Sequence, residues 1–185
     1  MSTFYKEFIA AGFGGQGVMM LGQLIAYAGM YDGRNVLWIP SYGPEMRGGT
    51  ANCSTIVSEG PVGSPVISKC DVCAVLNQPS LEKFINAPRT GGILIIHSDL
   101  VKYDCDRTDI RLIEIPAGTM ANKIGSEKVA NIVVFGAVVA SSGIVSHEAA
   151  VHVVEEKLGK KKPQFLPMNI KALEAGIKFV RDLDK

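Results

Sequence analysis

Apolar residues along this chain fall into short blocks whose spacing alternates between runs and a three-to-four repeat. Residues 8–12 form an apolar run, residues 12–17 read GFGGQG, and from Val18 to Tyr31 the side chains of Leu21, Leu24, Ile25 and Ala28 recur at helical spacing. The pattern predicts strand, loop and helix in that order. Asp32 and Gly33 supply turn chemistry that ends the helix, and residues 35–39 (NVLWI) predict a second strand. A first βαβ unit is thus complete by Pro40, with its two strands expected side by side.

Residues 41–50 (SYGPEMRGGT) hold three glycines and a proline, which predicts an irregular loop. Residues 50–58 return to extended character, with Ala51, Cys53, Thr55 and Val57 on one face and Asn52, Ser54 and Ile56 on the other. Further strands are predicted at residues 71–76, 92–97 and 111–115. Helices are predicted at 79–85, with proline early, at 117–123, in the buried stretch 132–145, at 147–158 behind a Ser146 N-cap, and at 169–183. In the last of these, Ile170, Leu173, Ile177 and Val180 share one face. Strands alternating with helices predict an α/β fold, Rossmann-like and doubly wound, with a mostly parallel sheet in a single domain spanning residues 1–185.

Composition narrows the partners. Nineteen basic residues against eighteen acidic ones give no global field to attract a polyanion, so no nucleic-acid role is expected, and the run Lys160 to Lys162 before Pro163 reads as a solvated connection. The apolar stretch 132–145 is interrupted by Gly136, Ser141, Ser142 and Gly143, too short to span a bilayer that needs about 20 apolar residues, so no membrane role is expected. The opening MSTFYKEF lacks the apolar region that secretion requires, and with four cysteines a reducing, cytoplasmic setting is expected. Cys70 and Cys73 have C-x-x-C spacing without a second pair. On a regular strand they would point to opposite faces, which predicts buried small side chains and no metal site. His97 ends a strand, while His147 and His152 are five apart and share a helical face poorly.

Two loops carry the candidate chemistry. Gly12, Gly14 and Gly17 fit G-x-G-x-x-G between a strand and a helix, where glycine permits close backbone approach and the following helix N-terminus favours an anion. A nicotinamide dinucleotide site would also want a carboxylate at the end of the second strand, where this chain reads Trp38-Ile39-Pro40-Ser41. In the second loop Glu45 and Arg47 stand between glycine and proline turns, Arg47 with a planar fork suited to a carboxylate or phosphate. If the first two strands are neighbours, the two loops meet at their carboxyl ends. The expected ligand or partner contacts are therefore Gly12, Gly14, Gly15, Gln16, Gly17, Tyr42, Glu45, Arg47, Gly48 and Gly49, with no catalytic residue on this chain.

GFGGQG at residues 12–17, YGPEMRGG at residues 42–49, and Pro65, Asp71 and Asn77 downstream make the sequence resemble the gamma subunits of 2-oxoacid:ferredoxin oxidoreductases, most of all the 2-oxoglutarate and branched-chain-oxoacid types. The resemblance covers most of the chain. It implies a complex with alpha, beta and ferredoxin-like delta subunits that uses thiamine diphosphate, Mg, iron–sulfur clusters and CoA, and that passes electrons to ferredoxin. The gamma chain is then a Rossmann-like piece that is inactive alone and, when isolated, exposes an apolar patch or self-associates as a homo-oligomer. A stand-alone nucleotide-binding oxidoreductase and an interaction module are the alternatives.

Overall fold

The computed structural model describes residues 4–42, 50–104, 106–160 and 162–185. One six-stranded sheet organises the chain. Its strands are β1 (Tyr5–Phe13), β2 (Asn35–Tyr42), β3 (Thr50–Ser58), β4 (Cys70–Val75), β5 (Pro88–His97) and β6 (Arg111–Ile115), in the order β2-β3-β1-β4-β5-β6. The β1–β4, β4–β5 and β5–β6 pairs are parallel, whereas β3 is antiparallel to both β1 and β2. Every strand except β3 therefore runs the same way, which makes the sheet mostly parallel as the alternation of elements implied.

The insertion of β3 corrects the expected βαβ unit. β1 and β2 do run parallel, joined by helix α1 (Val18–Tyr31), but they are separated by one strand. Gly12 and Tyr42 both lie in register with Ala51, so the two loops leave the same edge of the sheet two strand spacings apart, about 10 Å. Local periodicity sets which face a residue takes. It does not say which strand slides between two others.

Helices cover the two faces unequally. On one side α1, α3 (Ala117–Ile124), α4 (Ala130–Ser142), α5 (His147–Val154) and α6 (Leu166–Leu183) bury Phe8, Ala10, Val72, Ala74 and Ile95. On the other, α2 (Gln78–Phe84) covers a smaller core of Ile9, Cys73, Val75, Leu94 and Ile96. The strands thus present apolar side chains on both faces, as strands sandwiched between helices do.

Side-chain size decides how closely these layers approach. A Cβ at Gly22 would lie 2.5 Å from Cys53 Sγ, so α1 rests almost directly on β3, and of the two faces read from the sequence the one bearing Cys53, Thr55 and Val57 is turned to α1, with Thr55 Oγ1 donating to Gly22 O at 3.2 Å. α4 is buried nearly all round and crosses α6 at Gly136 and Gly176. A Cβ on either would come within 2.1 or 2.0 Å of a carbonyl oxygen on the other helix. Backbone meets backbone there.

One expectation about the cysteines is reversed. The β4–β5 register shifts between Cys70 and Val72, and this bulge turns Cys70 onto the same face as Cys73, where both thiols are buried and in hydrogen-bonding contact. Asp71, at the bulge, accepts from Glu7 N at 2.7 Å and pairs with Arg89 at 3.3 Å, so its role is to lock the start of β4 to β1 and β5. Burial of Cys53, Cys70 and Cys73 is as expected.

Candidate functional site

The crevice of an open α/β sheet lies where successive connections leave in opposite directions, here between β1 and β4. Its mouth is filled by Gln16. Gln16 Oε1 accepts from Phe13 N at 2.7 Å and from Asn77 Nδ2 at 3.3 Å, while Nε2 donates to Leu76 O at 3.0 Å. Asn77 in turn accepts from Ser80 N at 2.9 Å and caps α2. A Cβ at Gly12 would lie 2.8 Å from Gln16 Oε1, so this glycine clears the space in which the amide knits the two strand ends together.

The rest of the loop is shaped for a different purpose. Gly15 and Gly17 hold φ of 98° and 79°, the left-handed region that a side chain resists. At Gly15 a Cβ would meet nothing, and the residue opens directly onto a cleft of about 710 Å3. At Gly17, the N-cap of α1, a Cβ would lie 2.3 Å from Asn131 Nδ2. The glycine loop is thus pressed against the first turn of α4.

That cleft opens beside the glycine loop at the edge of the sheet. Leu76, Val129, Ile132, Leu158 and Met168 give it an apolar floor, and Asn131 and Asn169 add polar groups. Among the described residues three lysines line it (Lys128, Lys157 and Lys162) against one acid, Glu127. α1 and α4, 14 and 13 residues long, both begin at its wall with no acidic residue in the first turn and no side-chain cap. The free N–H groups at the start of α1 and the lysines together favour an anion, whereas α4 continues a 3-10 turn (Glu127–Val129) and its first N–H is already bonded, Ala130 N donating to Glu127 O. α5 contributes through a π-turn (Glu155–Gly159) that prolongs the predicted helix and carries Lys157 and Leu158 to the cleft. Lys157 Nζ also stands 3.9 Å from the centroid of the Tyr27 ring.

His97, the last residue of β5, lines the same cleft. Burial pushes its pKa below the ordinary histidine value, an effect that Asp99 partly offsets. Asp99 is desolvated too. Its hydrogen bonds from Thr119 N and Oγ1, both 2.8 Å, outweigh that and hold its carboxyl below the usual range. The other two histidines lie outside the cleft, His147 bonded to Glu174 at 2.6 Å and His152 stacked on Tyr31 with ring centroids 4.2 Å apart.

Of the residues singled out from sequence, Gly15, Gln16 and Gly17 line the cleft, Gly12 stands behind Gln16, and Gly14 is exposed. Tyr42 ends β2 at the same edge, and Glu45, Arg47, Gly48 and Gly49 lie outside the described residues. Sequence reasoning missed the opposite wall: Asn131, Lys128, Lys157, Lys162 and the part of His97. One signal pointed toward it, the break from polar GSEK to the apolar helix at residues 125–130.

Fold and cleft together define a doubly wound α/β domain with a glycine loop set against an anion-favouring, apolar-floored cleft. The chain belongs to the pyruvate ferredoxin/flavodoxin oxidoreductase family, whose model matches residues 7–179. It is 36% identical over 172 residues to the ketoisovalerate oxidoreductase subunit VorA of Methanothermobacter thermautotrophicus, a match covering 93% of this chain and 36% of that one. The chain therefore spans about a third of that relative's length. The 2-oxoglutarate synthase subunit KorC of Methanocaldococcus jannaschii is 30% identical over 181 residues, 96% of this chain and 95% of that one. A keto/oxoacid ferredoxin oxidoreductase gamma subunit from Geobacter sulfurreducens has the same fold, with a TM-score of 0.83 and 34% identity over 96% of this chain and 99% of that one.

Proposed function

We propose that the chain is the gamma subunit of a 2-oxoacid:ferredoxin oxidoreductase, acting in a cytoplasmic complex with alpha, beta and ferredoxin-like delta subunits. The complex converts a 2-oxoacid, with 2-oxoglutarate as the first candidate, and CoA to acyl-CoA and CO2, and the electrons released reduce ferredoxin. The observation that carries this reading is the match to KorC and to the Geobacter gamma subunit over nearly the full length of all three chains. A second substrate, ketoisovalerate, is favoured by the higher identity to VorA.

Within that complex the chain binds and positions. Thiamine diphosphate would supply the decarboxylation chemistry and iron–sulfur clusters the electron path. Thiamine diphosphate, its metal ion and the clusters are assigned to partner chains, as the resemblance to the family implies. CoA suits the cleft: its phosphates match the lysines and the N-terminus of α1, and its pantetheine arm matches the apolar floor. Gly15 sits where a ligand can approach the backbone, and Arg47 is the candidate fork from the second loop.

The test is reconstitution. With all subunits, CoA-dependent ferredoxin reduction is expected with 2-oxoglutarate or ketoisovalerate, and none with this chain alone. Viologen reduction by the single chain would overturn the subunit reading. Gly15→Val and Arg47→Ala are expected to lower turnover of the complex about tenfold or more while the subunit still folds. Lost assembly with intact folding would instead assign the loops to partner docking.

A further inference from the structure

His97 is the only imidazole lining the cleft, and its hydrogen bonding is incomplete. The side chain is only 6% exposed, Nδ1 makes no hydrogen bond among the described residues, and the carboxylate facing it, Asp99 Oδ2, stands 3.8 Å away, beyond hydrogen-bond range. A buried polar atom left unpaired costs stability, so the arrangement calls for an explanation. Around the ring, the turn after β5 offers Asp99, α3 offers the uncharged Gly118 and Thr119, and the turn before α4 offers Glu127. Lys128, Lys157 and Lys162 face the same cleft.

In the ligand-free chain burial keeps the ring neutral in neutral solution. An anion in the cleft would alter that balance, because a negative charge near a ring screened from water favours its doubly protonated form. Each nitrogen then has a use. Asp99 is already aligned by Thr119 and needs a shift of less than 1 Å, roughly, to accept from Nδ1, and the same ring lines the cleft.

We infer that an anionic ligand entering the cleft takes up a proton from solvent onto His97, so that the imidazolium holds the ligand on one side and Asp99 on the other. The inference rests on the cleft being the ligand site proposed above, and it adds the regulation of that site by pH. No bond to carbon is made or broken, and the proton is returned when the ligand leaves. Affinity for the anion therefore rises as pH falls through the interval between the free and bound pKa of His97, and levels off below it.

Two probes separate this inference from the identity of the ligand: inorganic pyrophosphate, which has only the charge, and CoA. The full chain is titrated with each by calorimetry in two buffers of different protonation enthalpy, and the His97 ring resonance is followed against pH by NMR. Wild type is expected to take up a proton with both probes, to bind about tenfold tighter for each unit of upward pKa shift at the acidic end, and to show the His97 titration moving upward on binding. His97→Gln is expected to lose the part of the proton uptake and of the pH dependence that remains in wild type after the ligand's own phosphate ionisation is subtracted. If that variant does not fold, the wild-type ring titration decides alone. Proton uptake by pyrophosphate without CoA binding keeps the inference and removes CoA. CoA binding without proton uptake overturns the inference and keeps CoA. An unmoved His97 titration with both probes overturns it outright.

Discussion

The two walls of the cleft meet where Gly17 and Met20 pack against Asn131, yet they are made from different materials. The N-terminal wall is backbone: Gly15 and Gly17 hold conformations that side chains resist, and Gln16 spends its amide on neighbouring main-chain and amide groups. The C-terminal wall is side chain, supplied by Asn131, Lys128, Lys157 and Lys162 from segments brought together only when α4 packs on α6. A motif can encode the first within six residues. The second exists only as a product of packing, and its position is set by two glycines, Gly136 and Gly176, that never touch the cleft.

This difference can be broken most severely at the helix crossing. Gly136→Val places a side chain where the Leu173 carbonyl oxygen stands 2.1 Å from the Cβ position, so α4 and α6 must separate. The expected loss exceeds about 4 kcal/mol or prevents folding, read from urea unfolding by the fluorescence of Trp38, the one tryptophan. A midpoint within error of wild type would mean that the C-terminal wall does not depend on this crossing. A more moderate effect is expected at the contact between the walls. Gly17→Ala meets both positive φ and Asn131, and should cost about 2 kcal/mol. Asn131→Ala in the same chain should recover about 0.5 kcal/mol or more, whereas strict additivity would show that the walls are not coupled.

The smallest expected effect is on acid stability. Because His97 has a lowered pKa, the folded chain binds fewer protons there than the unfolded chain, whose histidine titrates near 6.5. The stabilising contribution is present above that value and is lost as pH falls through the folded pKa. Between about pH 7.5 and pH 5.5 the urea midpoint of wild type should fall more than that of His97→Gln, and equal slopes would remove His97 as the titrating group.

Where local pattern decides structure, the sequence was legible. α1 at Val18–Tyr31, β3 at Thr50–Ser58 and β6 at Arg111–Ile115 have the predicted bounds, because their apolar spacing and flanking turn residues agree. The Ser146 cap was equally readable, its Oγ accepting from Ala149 N at 3.1 Å. α6 begins three residues before the predicted start, with Pro167 tolerated in its first turn. Strand order and the β4 bulge were not readable. Nothing in the period of residues 50–58 says that β3 enters between β1 and β2, and a single register shift at Asp71 is enough to turn Cys70 to the face of Cys73. The site divides the same way: the glycine loop follows from its motif, while His97 and the lysines acquire a common purpose only through tertiary proximity.

The three buried thiols make the two layers of this chain separately observable. Cys53 lies between β3 and α1, its pKa pushed up to about 11 by burial and only partly restrained by the neighbouring Trp38 indole. Cys70 and Cys73 lie under α2 as free thiols, and the hydrogen bond from one to the other together with burial raises Cys73 well above the ordinary value. A thiol reagent attacks thiolate, so none of the three reacts at an appreciable rate until its layer opens. In a Cys105→Ser chain, the labelling rate at Cys53 therefore clocks the lifting of α1 from the sheet, and the rate at Cys70 and Cys73 clocks the lifting of α2. Equal rates mean one cooperative unit. Faster labelling beneath α2 means that the thin side of the sheet breathes while the side bearing the cleft stays closed.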